Sequence, residues 1–272
     1  VVGDVTSTMA CAITAQKQHV PVAHVEAGIR SGDWAMPEEI NRMVTDAISN
    51  WFFTTSDTAG INLRKVGVGE ERIFFVGNTM IDTLLFNLDK LRAPEFVSQA
   101  GIEKEGYFVL TLHRPSNVDD VANFSALVRA VENAVEGRWV VFPVHPRTRK
   151  ALADLNAVPS NYLLVDPQPY LEFNWLVKNS MAVITDSGGI TEETTVMGVP
   201  CLTLRDSTER PETISIGTNE LIGTDPSKIG PAVKKVLSGQ WKKGGIPPLW
   251  DGMAAVRIVD VLEQVLLPAR AS

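Results

Sequence analysis

Cysteine is nearly absent from this 272-residue chain, Cys11 and Cys201 being its whole complement. Both stand in apolar segments. That setting predicts small core hydrophobes in a reducing compartment, rather than a disulfide framework or a thiolate metal site. No apolar run approaches the ~18 residues of a membrane-spanning helix. The opening Val1-Val2-Gly3-Asp4 lacks both the basic and the apolar regions of a secretory leader. These absences predict a cytoplasmic protein with no membrane partner. Basic residues are also in deficit: 25 Lys and Arg against 32 Asp and Glu give a net charge of -7. With no Lys/Arg stripe, nucleic acid is disfavoured as a partner, and an anionic ligand must have its charge met locally. An initiator Met is missing too, and Val1-Val2 reads as the stub of a strand already under way, so the chain is expected to begin inside its first domain.

What is present is an ordinary globular composition, 44% hydrophobic and 21% charged. Short β-branched runs alternate with amphipathic segments. Strands are predicted over 20–25, 51–55, 72–76, 107–112, 139–144, 162–165, 182–185 and 200–204. Helices are predicted over 7–18, 37–49, 119–135, 148–156, 170–178 and 253–267. Strands apolar on both faces and separated by helices imply parallel βαβ units covered on both sides. A break near Gly77-Asn78 and the Gly/Pro-rich stretch 241–251 divide the chain. The expected fold is α/β, with two Rossmann-like doubly wound domains and a ligand cleft between them, the first domain incomplete. Residues 1–80 with the helix 253–272 form the first domain, and 81–252 the second.

In parallel sheets the residues just after each strand line the ligand crevice. Here they are Asp4, Glu26, Asn78, His113, His145, Gln168 and the run Ser187-Gly188-Gly189. The glycine run leads from a strand into a helix, an arrangement that lets backbone N–H groups and the helix dipole meet an anion. It also fits a plain turn whose glycines supply positive φ, with Glu192 and Glu193 complementing the dipole. Glu193, one turn further, suits the two hydroxyls of a ribose. Arg210 lies in the next strand-end loop and suits a phosphate, or an ion pair with Glu209 or Glu212. His113 suits a departing diphosphate, or is a satisfied loop histidine. His145 is expected to be structural or supporting, and His19 and His24 to be packing or surface residues. Asp4 and Glu26 end strands expected to be neighbours. Glu38 follows Pro37, where a first-turn acid complements the helix dipole. Converging carboxylates are also what proton removal beside an anomeric centre requires.

The segments "GDVTST", "PVAHVEAGIRSGDWAMPEEINR", "FVGNTMIDTLL", "TLHRPSNVD", "DSGGITEE" and "RDSTERPE", in this order, resemble the UDP-N-acetylglucosamine 2-epimerase family. The resemblance runs from residue 3 to the end of the chain. It implies a GT-B fold and interconversion of UDP-GlcNAc and UDP-ManNAc at carbon 2, with neither metal nor other cofactor. The implied path eliminates UDP to a 2-acetamidoglucal and adds it back with the proton on the other face. By motif position, Asp4, Glu26 and Glu38 match the catalytic acids and His113 the histidine at the UDP end. Gln168 and Phe173 match positions near uracil, and Ser187, Gly188, Gly189, Glu193 and Arg210 those holding diphosphate and ribose. A homodimer supplying polysaccharide precursors is implied as well. The family's opening strand and "GTRPE"-like loop have no counterpart in these residues, which predicts weak or absent activity for this chain alone. Rival readings are a hydrolysing epimerase releasing ManNAc, a GT-B glycosyltransferase, and a silent UDP-sugar-binding module.

Overall fold

The computed structural model describes residues 1–153 and 158–266. The last residues of the helices predicted over 148–156 and 253–267 therefore lie outside the described residues. The chain divides into two compact units, one of Val1–Phe86 with the chain from Pro247, the other of Asn87–Ile246.

Unit 1 alternates strands and helices: α1 (Thr6–Lys17), β1 (Ala23–Val25), α2 (Pro37–Ile48), β2 (Trp51–Thr54), α3 (Asp57–Lys65), β3 (Ile73–Phe75) and α4 (Thr79–Asn87). The strands form a parallel sheet in the order β1-β2-β3. The chain start extends it, with Val2 bridging Val25 in parallel and the Gly3 N–H donating to Val25 O at 3.0 Å. Asp4 and Glu26 thus end neighbouring strands, as expected. The final helix, Ala254–Leu266, returns to this sheet, packing Ile258 with Phe53 and Val76. Asp82 caps it, accepting from the N–H groups of Ala254 and Ala255 at 3.1 and 2.7 Å. The approach to that helix crosses Gly77, where φ is +93° and a Cβ would sit 2.0 Å from Leu249 O, so only glycine fits.

Helix α2 inverts the usual amphipathic rule. Its buried residues are Glu39, Asn41, Arg42, Thr45 and Asp46, while Ile40 is exposed. A polar inner face is tolerable only where its groups find partners, and here those partners are the strand-end loops. Helix α1 buries just Thr8 and Ala12. It turns Cys11 to solvent, which corrects the expectation of a core residue, whereas Cys201 is buried.

In unit 2, after α5 (Glu95–Gln99), the chain runs β4 (Tyr107–Thr111), α6 (Pro115–Val118), α7 (Val121–Ala134), β5 (Trp139–Pro143), α8 (Pro146–Ala153), β6 (Tyr162–Val165) and α9 (Tyr170–Lys178). It continues through β7 (Ala182–Thr185), α10 (Gly188–Met197), β8 (Cys201–Thr203), α11 (Pro211–Ser215), β9 (Asn219–Leu221) and α12 (Ile229–Leu237), and the helix from Ala254 is α13. Among the described residues the strands make one parallel six-stranded sheet, order β6-β5-β4-β7-β8-β9. Each face is covered. Phe108 and Leu110 of β4 join one apolar cluster with Phe124, Leu127 and Val131 of α7; Tyr107 and Val109 join the other with Leu176 and Val177 of α9. Full burial of each such side chain contributes roughly 1.5–3 kcal/mol. Strand order reverses between β4 and β7, and in this class of sheet the crevice for ligands opens at that point. His113 follows one of these strands and Ser187 the other.

Candidate functional site

Asp186, the residue after β7, organises the switch point. It is fully buried and accepts from the backbone N–H groups of His113 (3.0 Å) and Arg114 (2.9 Å) and from Asn117 Nδ2 (3.1 Å). The His113 ring completes the set, its Nδ1 lying 2.7 Å from Asp186 Oδ1. Burial opposes ionisation of Asp186. The imidazole and the two backbone N–H groups outweigh that and hold the carboxyl below the usual range. With Nδ1 committed to Asp186, Nε2 is the nitrogen left to meet a ligand, and the ring is 41% exposed. Asp186 was not singled out from the sequence. Its signal was an acid placed directly after a fully buried strand, where only a functional or structural partner justifies a carboxylate.

A cavity of about 310 Å³ opens beside this pair, lined in part by His113, His145, Gln168, Phe173, Ser187 and Ile190. Four residues singled out for nucleotide binding thus come together. His145 joins them, its ring centroid 6.0 Å from that of His113. Gln168 donates to Asp166 O at 2.6 Å, and Phe173 packs its ring on the α9-side core. The cavity offers apolar walls with polar tips, the composition of a site for a flat heterocycle.

At the glycine run the structure departs from the turn that the sequence allowed. Neither Gly188 nor Gly189 has positive φ. Ser187 is the extended N-cap of α10, and its N–H donates to Thr185 Oγ1 at 2.9 Å. Gly188 is required by space: a Cβ there would lie 2.4 Å from Glu209 Oε1. Glu209 is itself fixed by Arg205 at 2.7 Å. Burial works against ionisation of Glu209, but the Arg205 hydrogen bond and charge prevail and bring its pKa to about 2. Glu192 and Glu193 are buried in the second turn of α10 and do not act as exposed dipole complements. Arg210 Nε donates to Glu192 Oε1 at 2.6 Å, and its charge also acts on Glu209. Glu193 accepts from Asn174 Nδ2 at 3.3 Å. Its pKa is raised by burial, against the pull of hydrogen bonds from Tyr170 and Asn174.

In unit 1 the acids stand at strand ends held by α2. Arg42 Nε and Nη2 both donate to Asp4 Oδ2, at 2.9 and 2.5 Å, and Asn41 Nδ2 donates to Asp4 O at 2.8 Å. Glu26 sits at φ +69°, a left-handed conformation that costs a non-glycine residue about 1–3 kcal/mol and concentrates at functional positions. Glu38 is half-buried in the first turn of α2. Glu39 beside it is the buried acid, accepting from the N–H groups of Ser31 (3.0 Å) and Gly32 (3.1 Å) and from Arg42 Nη1 (3.0 Å). Burial disfavours its charge, yet these donors together hold its pKa below the ordinary value. His24 is no surface residue: its ring is sealed, with Nδ1 on Asp46 and Nε2 on the Gly3 carbonyl.

Among the described residues, no group of three or more His, Cys, Asp or Glu side chains is gathered as a metal site requires. None of their helices is long and apolar enough to cross a membrane.

A parallel α/β sheet with a cavity at its switch point is the pattern of a nucleotide-binding α/β protein. The family described as UDP-N-acetylglucosamine 2-epimerase matches residues 1–263, and the chain belongs to it. A UDP-N-acetylglucosamine 2-epimerase of Methanocaldococcus jannaschii is 41% identical over 272 residues, spanning 96% of this chain and 73% of that relative. The crystal structure of the Methanocaldococcus jannaschii UDP-GlcNAc 2-epimerase in complex with UDP-GlcNAc and UDP superposes with a TM-score of 0.82 at 40% identity, covering 96% of this chain and 75% of that one. A UDP-2,3-diacetamido-2,3-dideoxy-D-glucuronate 2-epimerase of Pseudomonas aeruginosa is 37% identical, over 97% of this chain and 74% of that relative. Those neighbours place the fold in the GT-B type.

Proposed function

We propose that this chain interconverts UDP-N-acetylglucosamine and UDP-N-acetylmannosamine by inverting carbon 2, through elimination and re-addition of UDP. The observation that carries the reading is the gathering of His113, Gln168, Phe173 and Ser187 around one cavity in a member of this family. In this reading a carboxylate among Asp4, Glu26 and Glu38 removes the carbon-2 proton as the bond from carbon 1 to the diphosphate oxygen breaks. The bonding pair leaves with UDP, a double bond forms between carbons 1 and 2, and re-addition returns a proton to the opposite face. The carbon-2 proton is weakly acidic, so its removal is easiest while the anomeric bond is already stretched.

The negative charge that grows on UDP is answered by His113 Nε2, by the start of α10 and by Arg210. Gln168 and Phe173 hold the uracil, and Glu193 the ribose. Gly188 keeps Glu209 close under the helix start, and Gly189 leaves the backbone bare to the diphosphate. The residues 1–80 with 253–272 are assigned the sugar chemistry and 81–252 the nucleotide. Cytoplasmic location, homodimerisation and supply of UDP-ManNAc for cell-surface polysaccharide belong to the same proposal, supported by likeness to the family.

The test is incubation of the natural gene product with UDP-GlcNAc in D₂O. UDP-ManNAc carrying deuterium at carbon 2 is the expected product. Free ManNAc with UDP identifies a hydrolysing enzyme instead. Bound UDP with no exchange identifies a binding module. Turnover confined to UDP-2,3-diacetamido-2,3-dideoxy-glucuronate groups the protein with the Pseudomonas relative.

A further inference from the structure

One buried carboxylate in unit 1 touches the supports of both strand-end acids. Asp46 lies on the polar inner face of α2, its side chain 2% exposed. Its Oδ1 is 2.7 Å from His24 Nδ1, and the sealed His24 ring reaches on to the carbonyl of Gly3 at 3.0 Å. Gly3 is the residue before Asp4. A carbonyl only accepts, so Nε2 donates to Gly3, and a second proton between Nδ1 and the carboxylate satisfies the other contact. The second oxygen of Asp46 accepts from the Gly28 N–H at 3.1 Å and pairs with Arg30 at 2.7 Å. Gly28 closes the turn in which Glu26 is held at φ +69°. That turn has little slack: a Cβ on Gly28 would lie 2.3 Å from Ala59 O, and the Ala27 N–H is fixed to Phe53 O at 3.1 Å.

We infer that Asp46 is a positioning residue: it sets Asp4 through His24 and Glu26 through the Gly28 amide, so that one carboxylate fixes both acids for the carbon-2 proton transfers. The inference rests on the epimerase reading above. A strained Glu26 keeps its orientation only while the surrounding groups over-determine it. Alanine in its place removes both anchors, whereas in Asp46→Asn the amide oxygen can still accept from Gly28 while its NH2 donates to Nδ1 of a His24 whose Nε2–H stays on Gly3, so asparagine is the conservative variant.

The experiment compares wild type, Asp46→Ala, Asp46→Asn, His24→Asn and His24→Gln in the natural gene product, by carbon-2 deuterium exchange, steady-state kinetics and crystallography. For Asp46→Ala the expected result is a kcat about 10²-fold lower with KM and UDP affinity little changed, because misplacing an acid by ~1 Å affects the transition state and not the grip on nucleotide, and Asp46→Asn is expected to recover part of that rate. In the crystal, the Gly3-Asp4 or Glu26–Gly28 backbone shifts while α2 stays in place. An asparagine amide at 24 mimics Nδ1 and loses the Gly3 anchor; a glutamine amide mimics Nε2 and keeps it. His24→Gln is therefore expected to recover part of the rate that His24→Asn loses. A folded Asp46→Ala enzyme with unchanged kcat overturns the inference, as does a crystal structure of it in which neither turn moves. Equal losses in kcat and in folded fraction, with no difference between the two His24 variants, show a purely structural role and overturn it too. A wild type that exchanges no carbon-2 proton of any UDP sugar defeats the epimerase reading, and the crystallographic comparison still judges the anchor by itself.

Discussion

Each unit sets a histidine against a buried aspartate, and the two pairs are used in opposite ways. His24 on Asp46 is sealed, with both ring nitrogens spent inside the protein. His113 on Asp186 is 41% exposed, with one nitrogen committed and the residue lining a cavity. The aspartates differ less than the histidines, since each also accepts from the backbone of a strand-end loop, Asp46 from one N–H and Asp186 from two. A buried carboxylate ringed by such donors is a device for fixing a loop. Whether the imidazole beside it is scaffold or reagent depends on what its second nitrogen meets.

The comparison can be broken at several points. The largest effect is expected from Glu26→Gln, which removes a proposed proton acceptor and is predicted to lower carbon-2 exchange by about 10²–10⁴-fold. UDP affinity, assigned to unit 2, is predicted to stay unchanged in calorimetry. Loss of UDP binding in this variant would contradict that division of labour.

Asp186→Ala tests the other pair. The N–H groups of His113 and Arg114 and the Asn117 amide all point at this carboxylate. Alanine leaves these donors without their acceptor, and should lower stability by about 1–3 kcal/mol in denaturant titration. It should also weaken both UDP binding and exchange. His113→Ala removes only the ring's contact with Asp186 and is predicted to cost less stability than Asp186→Ala while losing the rate. Equal behaviour of the two variants would mean that Asp186 serves His113 alone.

A smaller effect is expected on acidification. Asp186, Glu39 and Glu209 all have depressed pKa values in the fold, Glu209 near 2. Depressed carboxylates contribute stability above their unfolded values, and this is lost as pH falls through their folded values. Stability is therefore predicted to be fully present above about pH 4.5 and to fall progressively toward pH 2, a window set by the Glu209 values of 4.5 and about 2. Glu209→Gln should flatten part of that slope in thermal melts. A melting temperature constant down to pH 2 would contradict the assigned shifts.

The smallest effect separates the cysteines, one in each unit. Cys11 is exposed, while burial raises the Cys201 thiol to about 11. A thiol reagent at neutral pH is predicted to label one residue quickly and the second only on unfolding. Rapid labelling of two thiols in the native protein would place Cys201 elsewhere.

By itself, the sequence determined the alternation of strands and helices, because a parallel sheet buried on both faces writes continuous β-branched runs into the chain. The strands Tyr162–Val165 and Ala182–Thr185 and the helix Tyr170–Lys178 were read to the residue, and the strand ends pointed to His113, Gln168 and Ser187. The strand Asn219–Leu221 went unread because it carries no apolar run. It exists through pairing with Cys201–Thr203, a contact that leaves no local mark. The tertiary structure alone decided the roles of His24, Asp46, Asp186 and Glu39. On a helix or beside a strand, a lone acid or histidine has the same local pattern whether it faces water or the core. Only the arrival of a distant N–H, ring or guanidinium at hydrogen-bonding distance repays burial of the charge. Those partners are 16 to 73 residues away in the chain for Asp46 and Asp186, beyond the reach of any periodicity.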